Sequence, residues 1–494
     1  MKQTNTRRSF LSRMSEPVDL TAGTPWKVIL RYAAPSIFSY FLQQIYVLTD
    51  SVICGQVLTA EEVAGVNDTF PLTFIFLQFA FGCTAGFSVL TARCVGRGDM
   101  RGTRRSFVAQ IYLSVAISAV LTVLSLVLLP WMLGVINVTP DNPAVYRAAY
   151  DYCFVIFLGI LAQMGYNFIC GILRSYGDSV TPLVFLVAST VLNVALDIIC
   201  LVPLQMGPLG AALATVAAQF ISAACCLVYT FVRYPDLRLT KEDFHLPWHS
   251  VREHLVNGLP LGFQFSILAV GIIVMQGAVV KFDLTAGGTM VPGTPAQNGF
   301  GAASKLINFL MAAYNGLASA ILGYNAQNCG KGDYARVRRG TCQTLLMMLL
   351  VYAFCLSAGL LLSINGAYQY IFMSVDKVSP ASIRFGNTYI YVDILLYGLL
   401  GFLIVVRSAV QGVFKPGYVL GAGMAELCSR TAICALLPDL VNGAPVDAYA
   451  SPAAFTALCF GDPGAWCAAS LLLLFPFIRY ILHGEKNADR QTSV

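Results

Sequence analysis

The stretch that decides the fold is Pro182–Pro203, PLVFLVASTVLNVALDIICLVP. It is apolar and long enough to cross a bilayer as a helix, which takes about 20 residues. Asn193 and Asp197 lie within it, four residues apart, so a helix places them on one face. A carboxylate inside a membrane span is costly unless it faces a cavity or a partner. The stretch therefore predicts a membrane helix with a functional polar face, which Thr190 extends by one turn.

A second apolar run, AAPSIFSYFLQQIYVLTDSVICG (33–55), has the same feature. Asp50 lies near its end, and Gln43 and Tyr46 precede it. Two buried carboxylates at similar depth could hold a proton or, with an amide oxygen such as that of Asn193, a Na⁺ ion. The alternative interpretation is a pair of structural acids that only form hydrogen bonds. Pro35 has no N–H to donate and permits a bend in this helix, either as a fixed kink or as a hinge.

The composition indicates an α-helical membrane protein with many spans. Hydrophobic residues make up 57% of the 494 residues, charged residues make up 11%, and the mean hydropathy is +0.69. There is no Walker loop and no HExxH motif, which argues against ATP hydrolysis and against a metalloprotease. The 15 cysteines are scattered without CxxC spacing and suit buried apolar positions. We therefore predict no enzyme activity, no metal site, no cofactor, no use of ATP and no nucleic-acid partner.

Twelve apolar runs have the length of a membrane span. They lie near 31–54, 63–92, 106–133, 147–173, 182–204, 210–233, 255–280, 300–326, 341–364, 386–412, 418–438 and 461–482. Lys and Arg are concentrated in alternate connections between these runs, as expected of cytoplasmic loops. The pattern predicts a multi-pass protein of the cell (cytoplasmic or inner) membrane with both termini in the cytoplasm.

An internal repeat relates the two halves of the chain. GRGDMRGTRR (96–105) and GKGDYARVRR (330–339) each follow the second run of a six-run half. Six runs per half give the halves one orientation, as in transporters with parallel repeats. We predict an all-α polytopic fold of twelve transmembrane helices in two six-helix bundles related by a pseudo-two-fold axis. The expected segments are a cytoplasmic tail (1–23), an N-terminal lobe (24–235), a cytoplasmic linker (236–254), a C-terminal lobe (255–483) and a second tail (484–494).

Charged residues also fall within the runs of the second half. Glu426 and Arg430 are four residues apart, a spacing that favours an ion pair within one helix. Asp393 is the second half's candidate for a functional acid. Lys305 and Arg407 are expected near helix ends, where long basic side chains reach the membrane surface.

Several motifs together resemble one transporter family. They are Asp50 in the first run, TARCVGRGDMRGTRRS (91–106), GILRSYGDSVTP (171–182) leading into LNVALD (192–197), and LGYNAQNCGKGDYARVRRG (322–340). In combination they are similar to the multidrug and toxic compound extrusion (MATE) family, and within it to the DinF-like branch. The resemblance covers the chain from about Thr24 to His483.

The resemblance implies a function and assigns site residues. The family exports varied, often cationic, organic compounds in exchange for H⁺ or Na⁺, which is the coupling ion and not a cofactor. The cation-binding positions of the branch fall on Asp50, Asn193 and Asp197. Polar or hinge positions of the same lobe fall on Pro35, Gln43, Tyr46, Asn167 and Thr215.

From these observations we expect a secondary antiporter that works by rocking two helical lobes. Its expected partners are small organic substrates and membrane lipids, and we expect a monomer. One alternative is a flippase for lipids or lipid-linked oligosaccharides, which calls for a cationic, laterally open cavity. A remoter alternative is an intramembrane enzyme with Asp50 and Asp197 as a catalytic dyad. A hydrogen-bond distance between these two carboxyl groups favours the dyad, whereas several ångströms and an enclosed polar pocket favour cation coupling.

Overall fold

The structure is a computed structural model that describes residues 16–136, 138–373 and 378–484. Most of the two expected terminal tails, residues 1–15 and 485–494, lies outside the described residues. Within the described part, ten helical stretches are long and apolar enough to span a membrane, the last of them the composite stretch Pro452–Leu482. Two further pairs of helices bring the number to twelve when each bent pair is counted as one span. The predicted twelve-span, all-α fold is confirmed.

The first half contains eight helices. They are α1 (Pro25–Val57), α2 (Ala60–Asp68), α3 (Phe70–Arg97), α4 (Met100–Val135), α5 (Pro143–Leu158), α6 (Ile160–Ser175), α7 (Val180–Leu201) and α8 (Gly207–Arg233). Helix α2 is a short connection between the first two spans. It starts with a capping box in which the Thr59 and Glu62 side chains each accept a bond from the other's backbone N–H.

The second half repeats the pattern after two 3₁₀ turns, Pro235–Leu237 and Lys241–Phe244. Its helices are α9 (Trp248–Val280), α10 (Pro295–Lys331), α11 (Tyr334–Ser363), α12 (Gln369–Phe372), α13 (Pro380–Leu395), α14 (Tyr397–Gly412), α15 (Pro416–Asn442), α16 (Pro452–Cys459) and α17 (Gly461–Pro476), and a π-helical turn covers Phe477–Leu482. Both α9 and α10 begin several residues before the apolar runs near 255 and 300, because their first turns are polar and hydropathy does not detect them.

The fourth span of each half is broken at the same place. Helices α5 and α6 meet at 44° across Gly159, and α13 and α14 meet at 53° across Leu396. The repeated loops also share one geometry. Gly98 and Gly332 take the left-handed conformation that ends a helix (φ 71° and 83°), and the aspartate that follows each one caps the next helix.

Several helix pairs join the halves, and two of them are the most extensive. Helix α3 packs along α9, and α1 packs against α10. Both contacts depend on glycines that let backbones approach, as in many membrane helix pairs. A Cβ at Gly86 of α3 would lie 2.5 Å from the Asn257 carbonyl, and one at Gly316 of α10 would lie 2.6 Å from the Ile37 Cα.

The surface that carries the repeated loops is named the basic face, defined by residues 93–105 and 331–339. There the segment before α1 bridges the two halves. The Val18 N–H donates to the Gly177 carbonyl of the first half at 3.0 Å. From the second half, Asn328 and Arg336 donate to the Leu20 carbonyl at 3.0 and 3.3 Å. The halves are therefore tied together at this face.

The segment before α9 is held in a reciprocal way. Arg104 of the first repeated loop pairs with the Asp243 carboxylate at 3.0 Å, and Arg101 pairs with Glu242 at 3.2 Å. Asp243 is 1% exposed and also accepts from the Thr240 N–H at 2.8 Å. Thus each repeated loop binds the segment that precedes the other half's first helix.

Candidate functional site

Helices α1 and α7 bring the two predicted acids together. The outer part of α1, opposite the basic face, packs on α7. Asp197 is fully buried and Asp50 is half-buried, and the two carboxyl groups lie close enough to interact. The proximity that the sequence proposed for two residues 147 positions apart is present in the structure.

The oxygens of this pair have few donors. Neither Asp197 oxygen nor Asp50 Oδ1 has a hydrogen-bond donor, and no lysine or arginine of the described residues forms an ion pair with either acid. Two adjacent carboxylates cannot both stay ionised in a desolvated place, so one proton shared between them is the low-energy arrangement. A small cation that binds the same oxygens would serve the same purpose.

Asn193 completes the oxygen cluster. It is fully buried one turn below Asp197, and its Nδ2 donates to Thr215 Oγ1 of α8 at 3.4 Å. This bond leaves Asn193 Oδ1 without a donor, beside the two acids. Tyr46 of α1 approaches the same Thr215 hydroxyl. The cluster thus presents several oxygens and no positive charge, which suits a proton or a hard cation.

Other predicted positions lie around the cluster with different roles. Gln43 is half-buried two turns before Asp50 on the same face of α1. Thr190 bonds within its own helix, to the Leu186 carbonyl at 2.9 Å. Asn167 of α6 is half-buried, and its Nδ2 has no acceptor. Pro35 is buried within α1, which continues through it as one helix.

The second half holds a polar cluster of a different kind. Glu426 of α15 binds Arg407 of α14 and lies 3.6 Å from Arg430, one turn along its own helix. The shorter ion pair of Arg430 is with Asp462 of α17, whose Oδ1 lies 2.6 Å from the guanidinium Nη2. The predicted Glu426–Arg430 pair is therefore part of a network of four charges. Arg407 lies inside that network rather than at the membrane surface.

Asp393 is fully buried beside this network. Both of its oxygens lack a hydrogen-bond donor, while its neighbour Tyr389 donates to Asp462 at 2.9 Å. Gln264 of α9 is also buried without a partner for its amide. Within the described residues, no group of three or more His, Cys, Asp or Glu side chains is arranged to hold a metal ion.

Comparison with known proteins agrees with the fold. The family model MatE matches residues 35–199, the part of the chain that contains Pro35, Asp50, Asn193 and Asp197. Residues 35–199 thus carry a MatE domain, and the chain is similar to MATE transporters. Its fold matches a solved structure described as the outward-facing conformation of a multidrug resistance MATE family transporter, with a TM-score of 0.79 at 19% identity, over 94% of this chain and 98% of that one.

Two relatives of known description are similar to this chain. The probable multidrug resistance protein YpnP of Bacillus subtilis (strain 168) is 27% identical over 325 residues, which are 65% of this chain and 68% of that protein. DNA damage-inducible protein F of Escherichia coli (strain K12) is 24% identical over 336 residues, 66% of this chain and 69% of that protein. The second relative agrees with the predicted DinF-like branch.

Sequence reasoning missed several residues of both clusters. Tyr152 of α5 and Cys54 of α1 lie close enough to Asp50 to interact with its charge. Neither was predicted, because a tyrosine or a cysteine is not conspicuous in an apolar run. Asp462 was missed because it lies at the start of the last run, where an acid is unremarkable. The segment GDPGAWCA (461–468), which parallels GPLGAALA (207–214), is the signal that could have found it.

Proposed function

We propose that this protein is a secondary antiporter that exports small organic compounds in exchange for H⁺ or Na⁺. The observation that carries the proposal is the Asp50–Asp197 pair, which adjoins the Asn193 oxygen and forms no ion pair with a lysine or arginine of the described residues. Such a pair needs an exchangeable positive charge. A cation that enters the site and later leaves it can therefore drive the conformational change by binding one state more tightly.

The two halves act in this proposal as rocking lobes, with bounds 24–235 and 255–483 and the linker 236–254 between them. The structure is closed at the basic face, where Arg336 donates to the Ala22 carbonyl at 2.6 Å and to the Gly23 carbonyl at 2.7 Å. We place this face in the cytoplasm of a cell membrane, because Lys and Arg concentrate there. The contacts must open for a cytoplasmic substrate to enter, and Pro35 is the proposed bending point of α1.

The two acids lie close together, so proximity alone does not separate the catalytic-dyad alternative from cation coupling. The surroundings do favour transport. The fold matches that of a MATE transporter structure, and the family model MatE matches the part of the chain that carries both acids. A shared proton on two carboxyl groups also serves a proton-coupled exporter, in which it is the transported ion.

The test is dye export from everted vesicles or proteoliposomes, with ethidium and carboxyfluorescein as probes. Collapsing the proton gradient and the sodium gradient separately identifies the ion, since export should stop with one of them. Asp197→Asn and Asp50→Asn should remove the dependence on that gradient. Asp141→Asn, a matched change at an exposed acid, should keep it. Gradient-driven export by Asp197→Asn at the wild-type rate would refute the proposal.

A further inference from the structure

A cavity opens at the basic face, where the two repeated loops meet. Its volume is about 690 Å³, and it is lined by both halves and by the segment before α1. Arg97 and Gly98 line it from the first half, and Gly330 and Lys331 line it from the second. The acid pair of α1 and α7 is not among the lining residues. The cavity is therefore a separate feature from the candidate cation site.

The internal repeat brings one basic residue of each half to this cavity. Arg97 and Lys331 occupy the same position in the repeated sequences GRGD (96–99) and GKGD (330–333). A Cβ at Gly96 would collide with the Gln327 carbonyl of α10, and Gly330 approaches the backbone of α3 in the same way. Because the ends of α3 and α10 cross so closely, both basic residues lie at the boundary between the halves.

The two basic side chains donate hydrogen bonds to neutral groups. Arg97 Nε donates to the Gly330 carbonyl at 3.1 Å, and Lys331 Nζ donates to Thr21 Oγ1 at 3.4 Å. Among residues 16–136, 138–373 and 378–484, neither Arg97 nor Lys331 forms an ion pair, and the Nη atoms of Arg97 form no hydrogen bond. Both side chains are exposed. Each therefore keeps N–H donors and a full charge for a ligand in the cavity.

Two further side chains of the cavity affect which ligand fits. The Tyr176 hydroxyl is buried and has no hydrogen-bond partner in the described part of the chain, although Tyr176 lines the cavity. Asp19 is the acid among the lining residues, and its Oδ1 accepts from the Thr21 N–H and hydroxyl at 2.8 Å. The lining therefore carries two positive charges, one negative charge and one unused hydroxyl donor.

We propose that this cavity binds a phosphate group, carried by a small soluble molecule or by a lipid headgroup, between Arg97 and Lys331. A phosphate group carries a charge of about −1.5 to −2 and three acceptor oxygens, which match a guanidinium, an ammonium and a hydroxyl donor. A basic residue is favourable in the last turn of any helix. That effect does not account for the cavity or for the unpaired Tyr176 hydroxyl. The volume lies in the range of small-molecule sites, so an organic group attached to the phosphate also fits.

A phosphate group in this cavity contacts both halves at once. Opening of the basic face would separate Arg97 from Lys331, so the ligand binds the closed state more tightly and shifts the protein towards it. The ligand is thus expected to slow entry of cytoplasmic substrate. This consequence rests on the proposed export function, whereas binding itself does not.

The experiment measures binding of inorganic pyrophosphate to the full-length protein in phosphatidylcholine nanodiscs. Isothermal titration calorimetry is used at constant ionic strength, without magnesium and without an ion gradient. Arg97→Gln and Lys331→Gln should each weaken binding about tenfold, as expected for loss of a charge-assisted hydrogen bond. Tyr176→Phe should weaken it by a smaller factor. Asp19→Asn should strengthen binding, because it removes the negative charge, and misfolding does not produce such a gain.

Arg101→Gln is the matched control, because Arg101 belongs to the same loop, pairs with Glu242 and does not line the cavity. It should leave the affinity unchanged. Absence of pyrophosphate binding would overturn the proposal, as would unchanged affinities of both Arg97→Gln and Lys331→Gln. An equal loss in Arg101→Gln would overturn it too, because it would show general attraction to the basic face.

The two sources of phosphate are separated by the lipid of the disc. The titration is repeated with phosphatidylglycerol and with the same amount of charge supplied by oleate. Weaker pyrophosphate binding with phosphatidylglycerol than with oleate assigns the site to a lipid headgroup, and equal binding assigns it to a soluble phosphate compound. Because no gradient is applied, these outcomes are independent of the Asp197→Asn export test.

Discussion

The two halves of the molecule differ in how the acidic groups within their membrane spans are neutralised. In the first half, the fifth span (α7) carries Asn193 and Asp197 four residues apart, and no basic side chain in the described part of the chain pairs with Asp197 or with Asp50. In the second half, the corresponding span (α15) carries Glu426 and Arg430 four residues apart, and the guanidinium binds acids on two helices. A positive charge that is covalently attached cannot leave, whereas a proton or Na⁺ can. Under the proposed function, the repeated scaffold holds an exchangeable cation site in the first half and a network neutralised by covalently attached charges in the second.

This difference predicts how each cluster responds to losing a charge. Removing one member of a buried, neutralised network leaves other charges without partners, which is strongly destabilising. Removing one of two crowded acids relieves repulsion and desolvation. The same kind of substitution should therefore change stability with opposite signs in the two halves.

The largest expected effect is at Arg430. Arg430→Met removes the guanidinium and leaves Glu426 and Asp462 buried with less compensation, so the free energy of unfolding should fall by about 3–5 kcal/mol. Thermal unfolding of the purified protein in detergent measures this change. Arg147→Met is the control, because Arg147 is 86% exposed and its pair with Asp151 is long, 3.7 Å. Equal unfolding temperatures for Arg430→Met and wild type would mean that the network does not stabilise the second half.

A smaller effect of opposite sign is expected at Asp197. Asp197→Asn keeps the shape of the side chain and removes one of two adjacent acids, so the unfolding temperature at neutral pH should stay the same or rise. The rise should correspond to about 1 kcal/mol, and it should shrink at acid pH, where wild-type Asp50 and Asp197 are both protonated. Destabilisation by Asp197→Asn on the scale of Arg430→Met would remove the contrast between the halves.

The fold was predictable because membrane spans are long and apolar and because charge alternates between loops. The acid pair was predictable because a carboxylate in such a span is rare and stands out. The tertiary partners were not predictable: Asp462 and Arg407 meet Arg430 and Glu426 only after α14, α15 and α17 pack together. Lys305 was misplaced because the polar first turn of α10 hides the true start of the helix from hydropathy.

The reciprocal loop contacts at the basic face escaped prediction for a similar reason. The repeated sequences show paired arginines but do not say which segment each arginine binds. Only the packed structure shows that Arg104 holds the linker before α9, while Arg336 holds the segment before α1. The repeat thus predicts common geometry, and the partner depends on which chain segment passes nearby.

The smallest predicted effect concerns the contact that joins the two unlike halves through the linker. Burial raises the pKa of the Asp243 carboxyl, but hydrogen bonds from Thr240 and the nearby Arg104 guanidinium outweigh burial and lower the pKa below its ordinary value of 3.8. A lowered pKa in the folded state means that the ion pair stabilises the linker above about pH 4, and that this stabilisation is lost as the pH falls through the folded pKa. Arg104→Gln should therefore lower the free energy of unfolding by about 1 kcal/mol at pH 7 and by much less near pH 3.

Thermal unfolding at the two pH values measures this difference. Arg101→Gln is the control, because the side chains of Arg101 and its partner Glu242 are 60% and 80% exposed and their pair should contribute little at either pH. A cost for Arg104→Gln that is independent of pH would show that the linker is held by packing alone, and that the charge contrast does not extend to the contacts between the halves.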